Sequence, residues 1–219
     1  MRDKRKDKAY YRVYLDYQYS RIEKKLAKLS ETEGEKRRQV LISLTGYEID
    51  LLKAEFSYGA SKEDLKTLLI KAMDIVSENV NVTFDDLLTL LSFAVMVEAG
   101  KNAKKMIDSK TSDIRKDRLL TFLSTYIEEG KSDWDQSISL RKEYELLNVV
   151  FDSENKEVAL NEYLGKWYEN HSDYAWYNSH LRDTDTYCGY WSFESAAVAI
   201  ILKLDNKKLI DSEYYPVLE

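Results

Sequence analysis

Residues that form tight turns are scarce in this chain of 219 residues, which contains one proline, Pro216, and only seven glycines. Hairpins and β-sandwiches draw on Gly, Pro and Asn-Gly pairs at their turns, so strand-rich folds are disfavoured. Hydrophobic residues nevertheless make up 44% of the chain, which is enough to bury a core in one or two globular units. The sequence therefore predicts an all-α fold.

Two long segments near the N-terminus carry apolar residues at steps of three and four, the spacing of one helical face. Gly34 separates the segments, and Gly59 is placed to cap the end of the second. We expect two long amphipathic helices that pair antiparallel. Their apolar stripes are Leu15, Tyr19, Ile22, Leu26 and Leu29, then Val40, Leu44, Tyr47, Leu51, Ala54 and Tyr58.

Capping signals continue along the chain. Ser61 and Thr83 each precede an aspartate by three residues, which is typical of a helix N-terminus. Gly100 is expected to close the helix that Thr83 opens, and another helix should run from about 112 to 129. Beyond Gly130, helices are expected near 134–150, 154–170, 173–180 and 192–204. The sequence thus predicts two parts, an N-terminal bundle of long helices over 1–130 packed on a C-terminal helical domain over 131–219.

Several features favour a cytoplasmic protein without a membrane anchor. The basic start of the chain is not followed by the apolar run of a signal peptide. The longest strongly apolar stretch, Ala196 to Leu202, is far shorter than the roughly 20 residues that span a bilayer. The single cysteine, Cys188, cannot form an internal disulfide, which fits a reducing compartment.

The sequence offers no set of catalytic or metal-binding residues. His171 and His180 are nine residues apart, which places them on opposite faces of a helix, and with Cys188 they lack the short spacings of zinc sites. The acidic residues around Cys188 disfavour a catalytic thiolate. Phosphate-binding, nucleophile-elbow and metalloprotease motifs are absent. We therefore predict no enzymatic activity, no metal and no cofactor.

Charge is distributed unevenly. Residues 1–38 contain 13 basic and 7 acidic side chains, whereas residues 121–219 contain 9 basic and 19 acidic ones. An acidic field repels nucleic-acid phosphates and favours a basic partner, so direct binding of nucleic acid is not expected. An ordinary solvated surface also accounts for this pattern.

A set of segments resembles a known family. The run from Tyr187 to Ile201 reads YCGYWSFESAAVAII, and the chain approaches its end with Tyr-Tyr-Pro-Val-Leu at 214–218. Together with Trp167-Tyr168, His171, Trp176-Tyr177 and His180, and with GYEIDLLKAEFSYG at 46–59, these segments are similar to the PoNi immunity proteins. The resemblance covers most of residues 40–219. It implies a two-part helical protein without catalytic activity that neutralises a cognate PoNe-type DNase toxin.

The residues that carry the resemblance have a simple structural interpretation. A glycine permits a tight entry into the last long helix, Ser192 can cap that helix, and Glu194 lies at its positive end. We expect the family-motif residues to hold the fold rather than to contact the toxin. They are Tyr187, Gly189, Tyr190, Trp191, Glu194 and Pro216.

Our hypothesis for the partner is that the acidic C-terminal half covers a basic DNA-binding surface of the toxin. The candidate contacts, chosen because they cluster near predicted loops and helix ends, are Glu128, Glu129, Asp133, Asp135, Asp183 and Asp185. A helical scaffold or adaptor without a toxin partner remains an alternative, and a nuclease or other hydrolase is the weakest one. The aromatic content permits a homodimer without requiring it.

Overall fold

The computed structural model describes residues 1–218, and every regular element in that range is helical. The all-α prediction is therefore confirmed. Short 3₁₀ turns lie at Lys142–Tyr144, Ser179–Leu181 and Asn206–Lys208. The α-helices are α1 (Lys8–Ser30), α2 (Gly34–Tyr58), α3 (Lys62–Glu78), α4 (Phe84–Met96), α5 (Gly100–Ile114), α6 (Arg118–Glu129), α7 (Leu147–Asp152), α8 (Lys156–Asn170) and α9 (Phe193–Ile201).

The first two helices form the expected antiparallel pair. Tyr19 on α1 donates a hydrogen bond to Glu55 on α2 at 2.7 Å, and Lys25 donates to Ser43 at 3.2 Å. The later residue of α1 is therefore bonded to the earlier residue of α2, as expected for two antiparallel helices. The stripe on α1 is less buried than its spacing suggests, because Tyr19 and Leu26 are 45% and 44% exposed.

The capping signals are realised at three helix ends. The Ser61 hydroxyl accepts from the Asp64 amide at 3.2 Å. Thr83 and Asp86 form a reciprocal capping box, with amide-to-side-chain distances of 3.0 and 3.2 Å. Gly59 takes the left-handed conformation after α2, with φ of 112°. These helix boundaries follow from local chemistry.

The helix pattern between residues 97 and 129 differs from the prediction. The helix that Thr83 opens ends at Met96, and Gly100 begins α5 instead of closing α4. The predicted helix over 112–129 is interrupted at 115–117, where Asp117 accepts from the amides of Leu119 and Leu120 and starts α6. A side-chain cap inside the expected helix therefore divides it in two.

The predicted helix over 134–150 is wrong over most of its length, because α7 covers only 147–150 of that range. Residues 131–141 form no regular helix, because Arg118 binds their backbone from α6. Its guanidinium donates to the carbonyls of Gln136 and Ile138, both at 2.8 Å, and its amide donates to the Ser139 carbonyl at 2.9 Å. Residues 173–178 likewise form turns, with Asn178 at a positive φ of 57°.

The N-terminal and C-terminal parts share a core around α4. Phe56 on α2, Phe93 on α4 and Phe193 on α9 pack together, with centroid distances of 6.0 Å from Phe56 to Phe93 and 4.3 Å from Phe93 to Phe193. All three rings are buried. Helix α9 therefore packs against α4 of the N-terminal bundle, in the predicted two-part arrangement. The division at residue 130 itself remains a prediction.

Candidate functional site

The segment at 187–191 crosses α2 at close range. The Ser57 hydroxyl donates to the Cys188 carbonyl at 2.7 Å and accepts from the Trp191 indole nitrogen at 2.9 Å. Gly189 has a φ of 110°, and a Cβ built there would lie 2.1 Å from the Ser57 oxygen. This close approach, rather than the entry into α9, is what requires glycine.

Glu194 lies inside the core instead of at a solvated helix end. It is 4% exposed and accepts hydrogen bonds from the Tyr163 and Ser192 hydroxyls, both at 2.5 Å. Ser192 occupies the N-cap position of α9 but makes no capping bond, because its hydroxyl is directed to Glu194. Pro216, Tyr187 and Tyr190 are also buried. The structure places these family-motif residues in packing positions.

The two histidines belong to an aromatic cluster. His171 is 1% exposed, and its Nδ1 lies 2.6 Å from the Trp167 carbonyl. His180 Nδ1 lies 3.0 Å from the Tyr190 hydroxyl. No group of three or more possible metal ligands occurs among residues 1–218. Burial raises the pKa of Cys188 to about 12, so its thiol is protonated at neutral pH.

A cavity of about 150 Å³ lies where the two parts meet. Its N-terminal wall carries Asp50 and Lys53 from α2 and Asp85 from α4. The C-terminal wall is aromatic and includes Trp176 and Tyr190. These residues are distant in sequence, so no local sequence pattern indicates this site.

The carboxylates of the cavity are held without close partners. Asp50 and Asp85 make no hydrogen bond or ion pair within residues 1–218. Burial raises the pKa of each carboxyl above its ordinary value, and Lys53 opposes this shift only in part. The site therefore holds carboxyl groups in an environment that disfavours their charge.

The six predicted contact residues are all exposed. They form two surface patches, which we call the 128–135 patch and the 183–185 patch. In the first, Glu129 pairs with Lys131 at 2.5 Å, and Asp135 accepts from the Ser137 hydroxyl at 2.6 Å and from the Ser137 amide at 2.9 Å. These contacts lower the pKa of Glu129 and of Asp135.

Each patch has exposed apolar side chains beside it. Leu146 and Val149, at the start of α7, are 37% and 50% exposed. Gln136 connects α7 to the 128–135 patch through a 3.3 Å hydrogen bond to Asp152. In the loop of the 183–185 patch, Leu181 is 73% exposed. Apolar surface with a charged rim is typical of protein interfaces.

The 183–185 patch adjoins the cavity. Thr186, which follows Asp185 directly, lines the cavity and is the one exposed residue among its lining. The loop of the 183–185 patch therefore borders the cavity. The 128–135 patch is bonded to α6 and α7 instead, and no hydrogen bond or ion pair among residues 1–218 joins the two patches.

None of the helices within residues 1–218 combines the length and apolarity that crossing a membrane needs.

Two sequence models of one family match the chain. The model described as PoNe immunity protein (PoNi), N-terminal, matches residues 2–108, and the corresponding C-terminal model matches residues 115–217.

A crystal structure of protein PA2201 from Pseudomonas aeruginosa has a similar fold. It superposes with a TM-score of 0.73 at 16% sequence identity, covering 98% of this chain and 88% of that one. A comparison with curated proteins found no match. At this level of identity, the structural similarity supports the fold alone.

Proposed function

The chain belongs to the family of PoNe immunity proteins, and from this premise we propose that it binds a cognate PoNe-type DNase toxin and occludes the toxin's DNA-binding or active surface. It would do so in the cytoplasm of the cell that it protects. It would act as a binding protein, without catalysis of its own.

The acidic side chains of the C-terminal part support this mechanism, because most of them are exposed on the surface. Between residues 121 and 218, fifteen carboxylate side chains are exposed against eight basic ones. A DNase must present basic groups to DNA phosphates, and exposed carboxylates can occupy the same groups. This surface excess of carboxylates is the observation on which the proposal depends.

The charge pattern also predicts how binding should respond to salt. Complementary fields speed the encounter between two proteins, and salt screens them over about 8–10 Å near physiological ionic strength. Exposed ion pairs contribute little to affinity individually. We therefore expect the patches to act mainly on the association rate, with apolar neighbours such as Leu146 and Leu181 adding contact area.

Charge reversal tests this mechanism directly. Replacing the six patch residues by lysine should slow association with the toxin by about tenfold or more at low salt, and should flatten its salt dependence. A matched control reverses six exposed acidic residues of the N-terminal part. The control residues are Asp16, Glu23, Glu31, Glu63, Asp74 and Asp108.

Binding kinetics and protection of DNA from cleavage are the two readouts. If the control set slows association as much as the patch set, net charge rather than the patches governs binding. If neither set changes association or protection, electrostatic occlusion is wrong.

A further inference from the structure

The cavity between the two parts has the size of a site for one side chain. Its volume of about 150 Å³ is below the roughly 300–1,000 Å³ of small-molecule sites. A cavity of this size holds a single benzene-sized group. The occupant is therefore small, or is one side chain of a larger partner.

The charges of the cavity favour a cation. Its lining includes the carboxylates of Asp50, Asp85 and Glu194 against the single ammonium of Lys53. Glu194 already accepts two hydrogen bonds, whereas Asp50 and Asp85 have none within residues 1–218. Carboxylates in such a position are costly unless a partner compensates them.

The aromatic wall favours the same chemistry. Trp176 and Tyr190 line the cavity with their ring centroids 5.4 Å apart. Electron-rich ring faces attract an ammonium or guanidinium group, most strongly where water is excluded. The lining of the cavity also contains two buried polar atoms, Ser92 Oγ on α4 and Trp167 Nε1 on α8, that have no hydrogen-bond partner within residues 1–218. Water or a backbone carbonyl that accompanies the occupant can bond to them.

The cavity borders the acidic surface. Thr186 is an exposed residue of its lining, and Asp183 and Asp185 lie just before it in the same loop. A basic segment attracted by the 183–185 patch is thus brought next to the cavity. Lysine and especially arginine are the side chains that combine pairing to carboxylates with stacking on aromatic rings.

We infer that this cavity is the socket for one arginine or lysine side chain of the bound toxin, held between Asp50, Asp85 and the Trp176–Tyr190 wall. This inference rests on the proposed function, because the side chain is supplied by the toxin. It goes further by placing a buried anchor of the interface at the junction of the two parts. Interface anchors of this kind are typically arginine or aromatic residues in desolvated pockets.

Isosteric substitutions separate the socket from a structural role. Asp50→Asn and Asp85→Asn remove the charges but keep the shapes, so the double variant should fold with an unchanged or higher unfolding midpoint. Its affinity for the toxin should fall by about 30-fold or more, the cost of removing the partners of a buried charge. Glu63→Gln, at an exposed position on α3, is the matched control and should bind normally.

A second variant tests the socket without changing its charges. Thr186→Trp places a bulky side chain at the exposed side of the cavity and should weaken binding to a similar degree, whereas Thr67→Trp, at an exposed position on α3 away from the cavity, should not. Isothermal titration with the toxin's DNase domain gives the affinities, and thermal unfolding gives the midpoints.

The outcomes distinguish the two proposals. Weaker binding by both the Asp50→Asn/Asp85→Asn and Thr186→Trp variants, with intact stability, supports the socket. If both variants bind like the wild type, the socket is wrong while the proposed function stands. If Asp50→Asn/Asp85→Asn lowers the midpoint and Thr186→Trp binds normally, the cavity is structural and the socket is again wrong. If the wild-type chain itself does not bind the toxin, the proposed function fails, and the socket fails with it.

Discussion

Gly189→Ala should destabilise the protein strongly, because two costs act at this position. A side chain at a φ of 110° is strained by about 1–3 kcal/mol. The new Cβ would lie 2.1 Å from the Ser57 oxygen, and the displacement it forces costs about 1–3 kcal/mol more. The sum, about 2–6 kcal/mol, is a large fraction of the 5–15 kcal/mol typical of a folded domain. For a chain of this length it corresponds to a fall of about 5–20 °C in Tm.

Two other glycines supply the controls. Gly165 lies in α8 with nothing within 4 Å of a built Cβ, so Gly165→Ala should be neutral or raise stability by about 0.5–1 kcal/mol. Gly34 has a positive φ of 55° but open space around it, so Gly34→Ala measures backbone strain alone. Urea unfolding of the three variants separates strain from collision. A Gly189→Ala variant within about 0.5 kcal/mol of the wild type would refute the close approach to α2.

Three further predictions concern other parts of the molecule. Arg118→Ala should cost about 2–4 kcal/mol and speed hydrogen exchange in residues 131–141, since it removes the guanidinium's bonds to their carbonyls; unchanged exchange would contradict this role. Burial raises the folded-state pKa of Asp50 and Asp85, so their contribution to the unfolding free energy falls as pH rises through those values. The stability gained by Asp50→Asn/Asp85→Asn should therefore be larger at about pH 7 than at about pH 4, and a pH-independent difference would argue against it. Cys188, with its pKa raised to about 12, should react slowly with iodoacetamide in the folded protein at neutral pH, and rapid labelling would show that the thiol is accessible and activated.

Local chemistry accounts for the parts of the fold that the sequence predicts well. Ser61, Thr83 and Gly59 act within three or four residues of their own position, so their capping roles are visible in the sequence. The predicted helix over 134–150 fails for the opposite reason. Its apolar spacing is compatible with a helix, but Arg118 binds the backbone carbonyls of residues that lie 18 and 20 positions further along the chain. A tertiary contact there overrides the local pattern.

The candidate sites divide in a similar way. Glu128 and Asp183 are placed on the surface by their loop and helix-end context alone, and they are exposed as expected. The cavity depends on packing between α2, α4 and the C-terminal aromatic residues, which no local pattern encodes. One signal was present, because Asp50 interrupts the apolar run Ile49-Asp50-Leu51-Leu52. A carboxylate in such a run indicates a position that needs a compensating partner if it is buried.

Co-expression of this chain with its cognate toxin tests the central claim most directly. The toxin is expected to be encoded beside the chain, and the measurements are co-purification and DNA cleavage by the purified toxin. A stable complex in which cleavage is blocked, and from which DNA does not displace the chain, is the result that the account predicts. Undiminished cleavage together with no complex would contradict it.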